Sequence, residues 1–236
     1  MNKVNCDCVI LCGGLGKRLR SALDGDVPKV MAAVDDRPFL DFILEYLQSQ
    51  NVERVVLCTG YKADFVEDYY RDHTFDLIID FSREEKPLGT GGALKNAREI
   101  IFSDSLLVFN GDSLVFFDLL AFLDFHRKNE ALASMLISKV QDGGDCGNLE
   151  INQDNEIISF QEKIQKAAES WVNAGVYCFN KEIFTHMPAE ENFSLEHDFF
   201  PQLIGHQFYG YCVEEEFMDI GTPERYKLIQ QKLKKG

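Results

Sequence analysis

The chain has 236 residues, of which 45% are hydrophobic and 27% are charged, a composition typical of a globular protein with a sizeable core. Its net charge is −15, so most of its surface repels nucleic acid and anionic membranes. No segment reaches the roughly 18 consecutive apolar residues of a membrane span. The seven cysteines are odd in number and scattered, which favours free thiols in a reducing compartment over a zinc site. We therefore expect a cytoplasmic protein without nucleic-acid or membrane partners.

The first half of the chain alternates between strand-like and helix-like segments. Strands are predicted at residues 4–11, 54–59, 75–80 and 106–109, and helices at residues 39–50, 63–70, 92–101 and 118–127. Such alternation predicts a parallel sheet with helices on both faces.

The second half is richer in β structure and ends in a helix. β-like segments lie at residues 131–139, 149–152, 156–160 and 171–179. Thr222 and Pro223 are typical of a helix start, and this helix is predicted to run toward Lys235. We predict a Rossmann-like three-layer α/β sandwich with a mixed, mainly parallel central sheet and a β-rich insertion. No linker or shift in composition interrupts the chain, so a single domain is expected over residues 1–236.

A glycine-rich loop with neighbouring cations follows the first predicted strand. Gly13, Gly14 and Gly16 allow positive φ and close backbone approach, so that several N–H groups can point at phosphate oxygens. Residues 1–20 hold four cationic side chains and one acidic one, a local charge of 4 − 1 = +3. The loop is not a Walker A motif, which needs Ser or Thr after Lys17, nor a dinucleotide fingerprint, which needs glycine in place of Leu19. The loop and its cations therefore predict a polyanion site.

Eight segments in order resemble the signature of the sugar-1-phosphate nucleotidyltransferases. They are LCGGLGKRL at 11–19, VPKVMAAV at 27–34, EEKPLGTGGAL at 84–94, FNGDSLV at 109–115, FQEK at 160–163, WVNAGVY at 171–177, SLEHDFFP at 194–201 and FMDIGTPERY at 217–226. The resemblance spans almost the whole chain and is strongest to the branch of bacterial D-glycero-D-manno-heptose 1-phosphate guanylyltransferases. Gly91, where some relatives carry Ala, is typical of the guanylyl branch.

The resemblance implies a reaction in which a sugar 1-phosphate attacks the α-phosphate of a nucleoside triphosphate and pyrophosphate leaves. GTP and D-glycero-α-D-manno-heptose 1-phosphate are the expected substrates. Transfer of guanylyl to mannose 1-phosphate, or of uridylyl to N-acetylmuramate or glucose 1-phosphate, is the alternative. Residues 1–130 would bind the nucleotide, and residues 131–236 would bind the sugar phosphate and supply the last helix.

The same resemblance assigns roles to individual residues. Arg18 and Lys29 are expected to be catalytic and to hold phosphates, and Asp112 and Asp219 are expected to bind Mg²⁺. The residues expected to bind the nucleotide are Leu11, Gly13, Gly14, Gly16, Lys17, Pro87, Gly89 and Thr90. Those expected to bind the sugar phosphate are Gly147, Glu162, Lys163, Asn173, Ala174 and Gly175.

Three other functions are compatible with parts of the pattern. A glycosyltransferase on a similar fold commonly carries an Asp-x-Asp motif, whereas this chain has Gly111-Asp112-Ser113. A non-catalytic homologue is expected to lack Arg18, Lys29, Asp112 or Asp219, and all four are present. A cytidylyltransferase or molybdenum-cofactor guanylyltransferase shares the glycine loop but not the EK and NAG segments.

Homologues of this size are often dimers, so a homodimer is also expected.

Overall fold

The structure, a computed structural model, describes residues 4, 6–23, 25–73, 75–140, 147–162 and 170–233. Its strands are β1 (Asp7–Leu11), β2 (Ala33–Val34), β3 (Arg37–Pro38), β4 (Arg54–Thr59), β5 (Ile78–Arg83), β6 (Ser105–Asn110), β7 (Ser113–Leu114), β8 (Ala133–Val140), β9 (Gly147–Ile151), β10 (Ile157–Glu162), β11 (Ser170–Asn180), β12 (Phe208–Val213) and β13 (Met218–Asp219). Its α-helices are α1 (Phe39–Ser49), α2 (Ala63–Asp72), α3 (Gly89–Asn96), α4 (Leu119–Lys128), α5 (Ile183–His186) and α6 (Pro223–Leu233).

Within the described residues, nine strands form one mixed sheet. β5, β4, β1 and β6 are parallel neighbours in that order. β11 pairs antiparallel with β6 and with β8, and β12 runs parallel to β8. The parallel half thus comes from the first part of the chain and the antiparallel half mostly from the second.

The long strand β11 joins the two halves of the sheet. One of its edges pairs with β8 along most of its length. Its other edge pairs with β9 at Trp171 and Val172 and then with β6 from Val176 to Asn180. Residues 173–175 therefore lie where this edge passes from one neighbour to the other, just beyond the end of β6.

Apolar side chains cover both faces of the sheet, as expected for parallel strands between helical layers. Along β1, Cys8 and Ile10 face a core formed with α1, α2, α4 and α6. Val9 points to the opposite core, which includes residues of α3 and α5. This alternation confirms the predicted three-layer α/β sandwich.

Some predicted bounds are wrong. The strand predicted at residues 75–80 runs from Ile78 to Arg83, where it pairs with β4 as the edge strand of the sheet and tolerates polar residues. The helix predicted at residues 92–101 begins at Gly89 and changes to a 3₁₀ turn at Ala97–Ile100. The first strand starts at Asp7, since Val4 forms only an isolated bridge. Neither β12 nor the helical turns at 195–203 were predicted.

The cysteines and the helices of the described residues agree with free thiols and with the lack of a predicted membrane span. Six cysteines are free, and those of the central strands are buried. In the part of the chain that the structure covers, each helix is too short or too polar to cross a membrane.

Candidate active site

The carboxyl ends of three parallel strands meet at one edge of the sheet and form a cavity of about 690 Å³. In the register of β1, Leu11 lies opposite Cys58 of β4 on one side and opposite Asn110 of β6 on the other. α/β proteins commonly bind ligands at this edge. The cavity is lined by Leu11, Cys12, Gly13, Gly14, Leu15, Lys29, Val30, Gly60, Tyr61, Lys62, Glu84, Glu85, Lys86, Pro87, Gly89, Thr90, Ala93, Asn110, Asp112 and Glu196.

The glycine loop leaves β1 and is held on both sides by backbone hydrogen bonds. Gly13 O accepts from the N–H of Tyr61 at 3.2 Å, and Leu11 O accepts from the N–H of Gly111 at 3.0 Å. Gly16 has φ +57°, and a Cβ at this position would lie 2.8 Å from the Cβ of Lys29. A side chain at residue 16 would therefore be strained and would collide with the segment that carries Lys29.

Lys29 and Asp112 form an ion pair in the wall of the cavity. Lys29 Nζ donates to Asp112 Oδ2, and the Ser113 hydroxyl lies 3.2 Å from Asp112 Oδ1. Burial alone would raise the pKa of the Asp112 carboxyl, but the Lys29 ammonium and the Ser113 hydroxyl hold that pKa below its ordinary value. The Asp112 side chain is 34% exposed and that of Lys29 only 13%. Asp112 is therefore an ionised group that a ligand can reach.

Asp219 lies beside this pair. β13 pairs with β7, so that Asp219 is opposite Ser113, and Ile220 N donates to Asp112 O at 3.0 Å. Asp219 Oδ1 accepts from Gly221 N at 2.7 Å, and Asp219 Oδ2 accepts from Arg225 Nη1 at 2.9 Å. The structure thus brings Asp112, Asp219 and Lys29 together next to the glycine loop.

The first residues of α3 and the loop before them form another wall of the cavity. Gly89 has φ +72°, and a Cβ there would lie 2.5 Å from Phe193 O. The Thr90 hydroxyl donates to Glu196 Oε2 at 2.7 Å and accepts from Leu195 N at 2.8 Å. Pro87, Gly89 and Thr90 therefore line the cavity as a segment fixed by the later part of the chain.

The packing around residue 91 requires glycine at this position. A Cβ on Gly91 would overlap the buried ring of Phe193, and Gly91 N donates to Phe193 O at 3.0 Å. Since Phe193 is 3% exposed, it has little room to move. Gly91 thus has a packing role that does not depend on which base is bound.

Glu84 is a cavity residue that the sequence analysis did not identify. Its Oε2 accepts from Leu88 N at 2.8 Å, and its Oε1 lies where a Cβ on Gly13 would be, within 2.9 Å of a Cβ on Gly60. Partial burial raises the pKa of the Glu84 carboxyl. The carboxylate therefore occupies the space that these two glycines leave open.

The predicted sugar-binding residues are partly described. Asn173, Ala174 and Gly175 lie where β11 passes from β9 to β6, and Asn173 Oδ1 accepts from Gly175 N at 2.8 Å. A Cβ on Gly175 would lie 3.2 Å from Asn110 and Ser113, which places this segment against the end of β6. Gly147 and Glu162 are paired through their backbones between β9 and β10. The side chain of Glu162 and the whole of Lys163 lie outside the described residues.

Arg18 and Lys17 do not line the cavity. Both are exposed in the turn after Gly16, in which Leu19 N donates to Gly16 O at 3.0 Å. Their roles stay predictions.

Further polar residues that sequence reasoning missed lie at the ends of the strands. Asn110 ends β6, and its buried Oδ1 has no hydrogen-bond partner among the described residues. Tyr61 and Lys62 follow β4 and line the cavity beside the glycine loop. The rule that ligands bind at the carboxyl ends of parallel strands points to all of them.

Comparison with known proteins shows similarity over nearly the whole chain. A family model described as nucleotidyl transferase matches residues 7–236. The D-glycero-alpha-D-manno-heptose 1-phosphate guanylyltransferase of Aneurinibacillus thermoaerophilus is 37% identical over 228 residues, which cover 96% of this chain and 98% of that protein.

Solved structures resemble this chain to a similar extent. The crystal structure of HddC from Yersinia pseudotuberculosis has a TM-score of 0.87 at 36% identity and covers 97% of this chain and 99% of its own. HddC complexed with GMP-PN has a TM-score of 0.86 at 35% identity, with the same coverage.

Proposed function

The chain belongs to the nucleotidyl transferase family, and from this premise we propose that it transfers a guanylyl group from GTP to D-glycero-α-D-manno-heptose 1-phosphate, releasing pyrophosphate. The observation that carries this proposal is one cavity in which the glycine loop, Lys29 and Asp112 meet, with Asp219 beside Asp112. The similarity to a heptose 1-phosphate guanylyltransferase and to a GMP-PN complex supports the choice of substrates.

The reaction joins two anions, so the protein must neutralise charge and align the reacting groups. The backbone of Gly13 and Gly14 supplies N–H groups to the triphosphate, and Lys29 supplies a cation within the same cavity. Arg18, on the turn after the loop, would reach toward the leaving pyrophosphate with a planar guanidinium that suits two phosphate oxygens. Since the sugar phosphate itself attacks phosphorus, no nucleophile from the protein is needed.

Enzymes of this family generally use a divalent metal ion, and the two aspartates fit such an ion. Both offer carboxylate oxygens, the ligand type that Mg²⁺ prefers, and each is oriented by a neighbouring cation, Lys29 or Arg225. In the described part of the chain, no three His, Cys, Asp or Glu side chains are grouped as a metal site, so phosphate and water oxygens would complete the coordination. We propose Mg²⁺, held by Asp112 and Asp219, which when bound would neutralise charge on the phosphates.

Glu84 supports guanine as the base. Guanine presents two adjacent donors, at N1 and at its 2-amino group, whereas uracil presents acceptors on both sides of a single N–H. A carboxylate offers only acceptors, and Glu84 lies in the cavity wall with Pro87, Gly89 and Thr90, which are predicted to bind the nucleotide. We propose that Glu84 accepts hydrogen bonds from the guanine edge while Leu88 N fixes its other oxygen.

The sugar phosphate is proposed to bind along residues 173–175 and toward β9 and β10. Asn110 borders this segment, and its buried Oδ1 is unpaired within the part of the chain that the structure describes, so a sugar hydroxyl donor would satisfy this acceptor. Gly147, Glu162 and Lys163 remain part of the proposed sugar site. In this proposal, residues 1–130 bind the nucleotide and residues 131–236 bind the sugar phosphate.

A substrate grid tests the proposed function. GTP, ATP, CTP and UTP are each combined with heptose, mannose, glucose and N-acetylmuramate 1-phosphates, and pyrophosphate release is measured with Mg²⁺ present. We expect the highest kcat/KM for GTP with the heptose 1-phosphate. Preference for mannose 1-phosphate would keep the guanylyl assignment and reject the sugar, whereas activity only with UTP and glucose 1-phosphate would reject both.

A cytoplasmic location and a homodimer belong to the same proposal. The free buried cysteines of the described strands suit a reducing compartment. Sedimentation of the purified chain over a range of concentrations measures its oligomeric state, and a monomer at all concentrations would contradict the dimer.

A further inference from the structure

A cluster of charged and polar side chains centred on Asp26 lies beside the mouth of the cavity. Asp26 Oδ1 accepts hydrogen bonds from Arg20 Nη2 and from the Tyr61 hydroxyl, each at 2.6 Å. Asp26 Oδ2 lies 2.8 Å from Lys62 Nζ. Arg20 Nη2 also donates to the Tyr61 hydroxyl at 2.6 Å. Arg20, Asp26, Tyr61 and Lys62 together form the Asp26 cluster.

The Asp26 cluster adjoins the glycine loop at two points. Tyr61 and Lys62 line the cavity, and Tyr61 N donates to Gly13 O at 3.2 Å. Arg20 N donates to Gly16 O at 3.1 Å, so Arg20 follows directly from the loop. Backbone hydrogen bonds therefore join two residues of the cluster to the glycine loop, and two line the same cavity as Gly13 and Gly14.

The three partners of Asp26 are the donors that a phosphate group would need. A guanidinium, an ammonium and a phenolic hydroxyl converge on one carboxylate, and charge-assisted hydrogen bonds of this kind also bind phosphate oxygens. The hydrogen bonds from Lys62, Tyr61 and Arg20 hold the pKa of the Asp26 carboxyl far below its usual range, so it is an anion at neutral pH. Asp26 thus stands where an anionic ligand would.

Asp26 also lies at an exposed position, from which it can leave the cluster. Its side chain is 52% exposed, and it follows Gly25, which has φ +91° and open space around its Cβ position. By contrast, Tyr61 and Lys62 are fixed between β4 and the start of α2. Displacement of Asp26 would break no packed core.

The negative charge of a triphosphate explains why Arg20 and Lys62 matter. Among the lysines that line the cavity, Lys29 is paired with Asp112 and Lys86 with Glu191. A triphosphate brings several negative charges into a chain of net charge −15. Lys62 also lines the cavity, and its partner Asp26 lies outside the cavity wall together with Arg20.

We propose that Arg20, Tyr61 and Lys62 bind the outer phosphates of the nucleoside triphosphate and the pyrophosphate that it releases, and that Asp26 occupies this site until the phosphates displace it. The proposal rests on the proposed function for the identity of its ligand. Asp26 then competes with substrate in the free enzyme.

Calorimetric titration of the full chain with inorganic pyrophosphate tests the proposal without requiring turnover. Loss of one charged hydrogen-bond partner is expected to weaken binding about ten-fold in Lys62→Met and in Arg20→Met. Asp26→Asn, which keeps the size of the side chain but removes its charge, is expected to bind pyrophosphate and GTP several-fold more tightly. The matched controls are Arg98→Met, an exposed arginine paired with Glu99, and Asp68→Asn, an exposed aspartate paired with Arg71.

Two results would overturn the proposal. Wild-type affinity for pyrophosphate in both Lys62→Met and Arg20→Met would show that the cluster does not bind phosphate. Weaker binding in Asp26→Asn, to the degree seen in Lys62→Met, would show that Asp26 positions the cations and does not compete. Thermal unfolding of each variant verifies that the fold is retained. Failure of the substrate grid with an intact pyrophosphate response would instead reject the proposed function alone.

Discussion

Replacement of Glu84 by Gln is the sharpest test of base recognition. The variant keeps an oxygen that can accept from Leu88 N, which lies 2.8 Å from Glu84 Oε2 in the wild type. The remaining amide group would turn a donor toward guanine, where the wild type offers a carboxylate oxygen. Because the change is nearly isosteric, the fold is expected to be retained. The substitution should lower only the kcat/KM for the nucleotide.

The expected magnitude follows from the number of hydrogen bonds lost. One hydrogen bond to a charged group contributes about 1.5–3 kcal/mol, and 1.4 kcal/mol corresponds to a factor of about ten. We therefore expect kcat/KM for GTP to fall about 10- to 150-fold in Glu84→Gln, with little change in the value for UTP. Wild-type enzyme should also prefer GTP to inosine triphosphate, which lacks the 2-amino group.

The assay is pyrophosphate release with a fixed sugar 1-phosphate and varied nucleotide. Glu99→Gln is the control, because it removes the same charge from an exposed residue that is not among those lining the cavity. An unchanged ratio of kcat/KM for GTP and UTP in Glu84→Gln, with melting temperature preserved, would refute the assignment of Glu84 to the base.

Three further changes have expected outcomes. Arg18→Ala should lower kcat by orders of magnitude while the melting temperature is retained, and near-normal turnover would remove Arg18 from the catalytic set. Asp112→Asn should abolish metal-dependent activity and weaken Mn²⁺ binding measured by calorimetry in the folded protein, and a fully active variant would contradict the metal role. Burial lowers the pKa of His126 to about 4, with a smaller contribution from Arg127. Since the unfolded chain takes up this proton near pH 6.5, the free energy of unfolding should fall by up to ~1.4 kcal/mol per pH unit between pH 6.5 and 4, about 3 kcal/mol in all. Urea titrations of wild type and His126→Gln should reveal this difference in slope, and parallel curves would contradict it.

The regular part of the fold was predictable because its pattern is local. The apolar run that ends at Leu11 and the spacing of apolar residues in α1 both follow from burial between layers. The edge strand β5 was misplaced, since its residues are only partly buried and alternate poorly. β12 lacked a signal because its apolar residues are interrupted by Gly210 and followed by an acidic run.

Only the candidate site residues that belong to short sequence motifs could be predicted. The glycine loop, Lys29 and Asp112 do lie together in one cavity, and Asp219 adjoins them. Glu84 and the Asp26 cluster could not be identified from spacing, because their partners are distant in sequence: 41 residues separate Arg20 from Tyr61, and 84 − 13 = 71 residues separate Glu84 from Gly13. The contact between Glu84 and Gly13 can be recognised only in the folded chain.

Helix α6 has a consequence for how the enzyme loses activity on heating. Only Tyr226 and Ile229 of this helix are buried, yet the Tyr226 hydroxyl donates to Ala33 O, four residues after Lys29. Through Arg225 the same helix holds Asp219. Segments with so little buried surface detach at a lower free-energy cost than the central sheet. Heat inactivation should therefore precede global melting, and amide exchange in α6 should report the temperature at which catalysis fails.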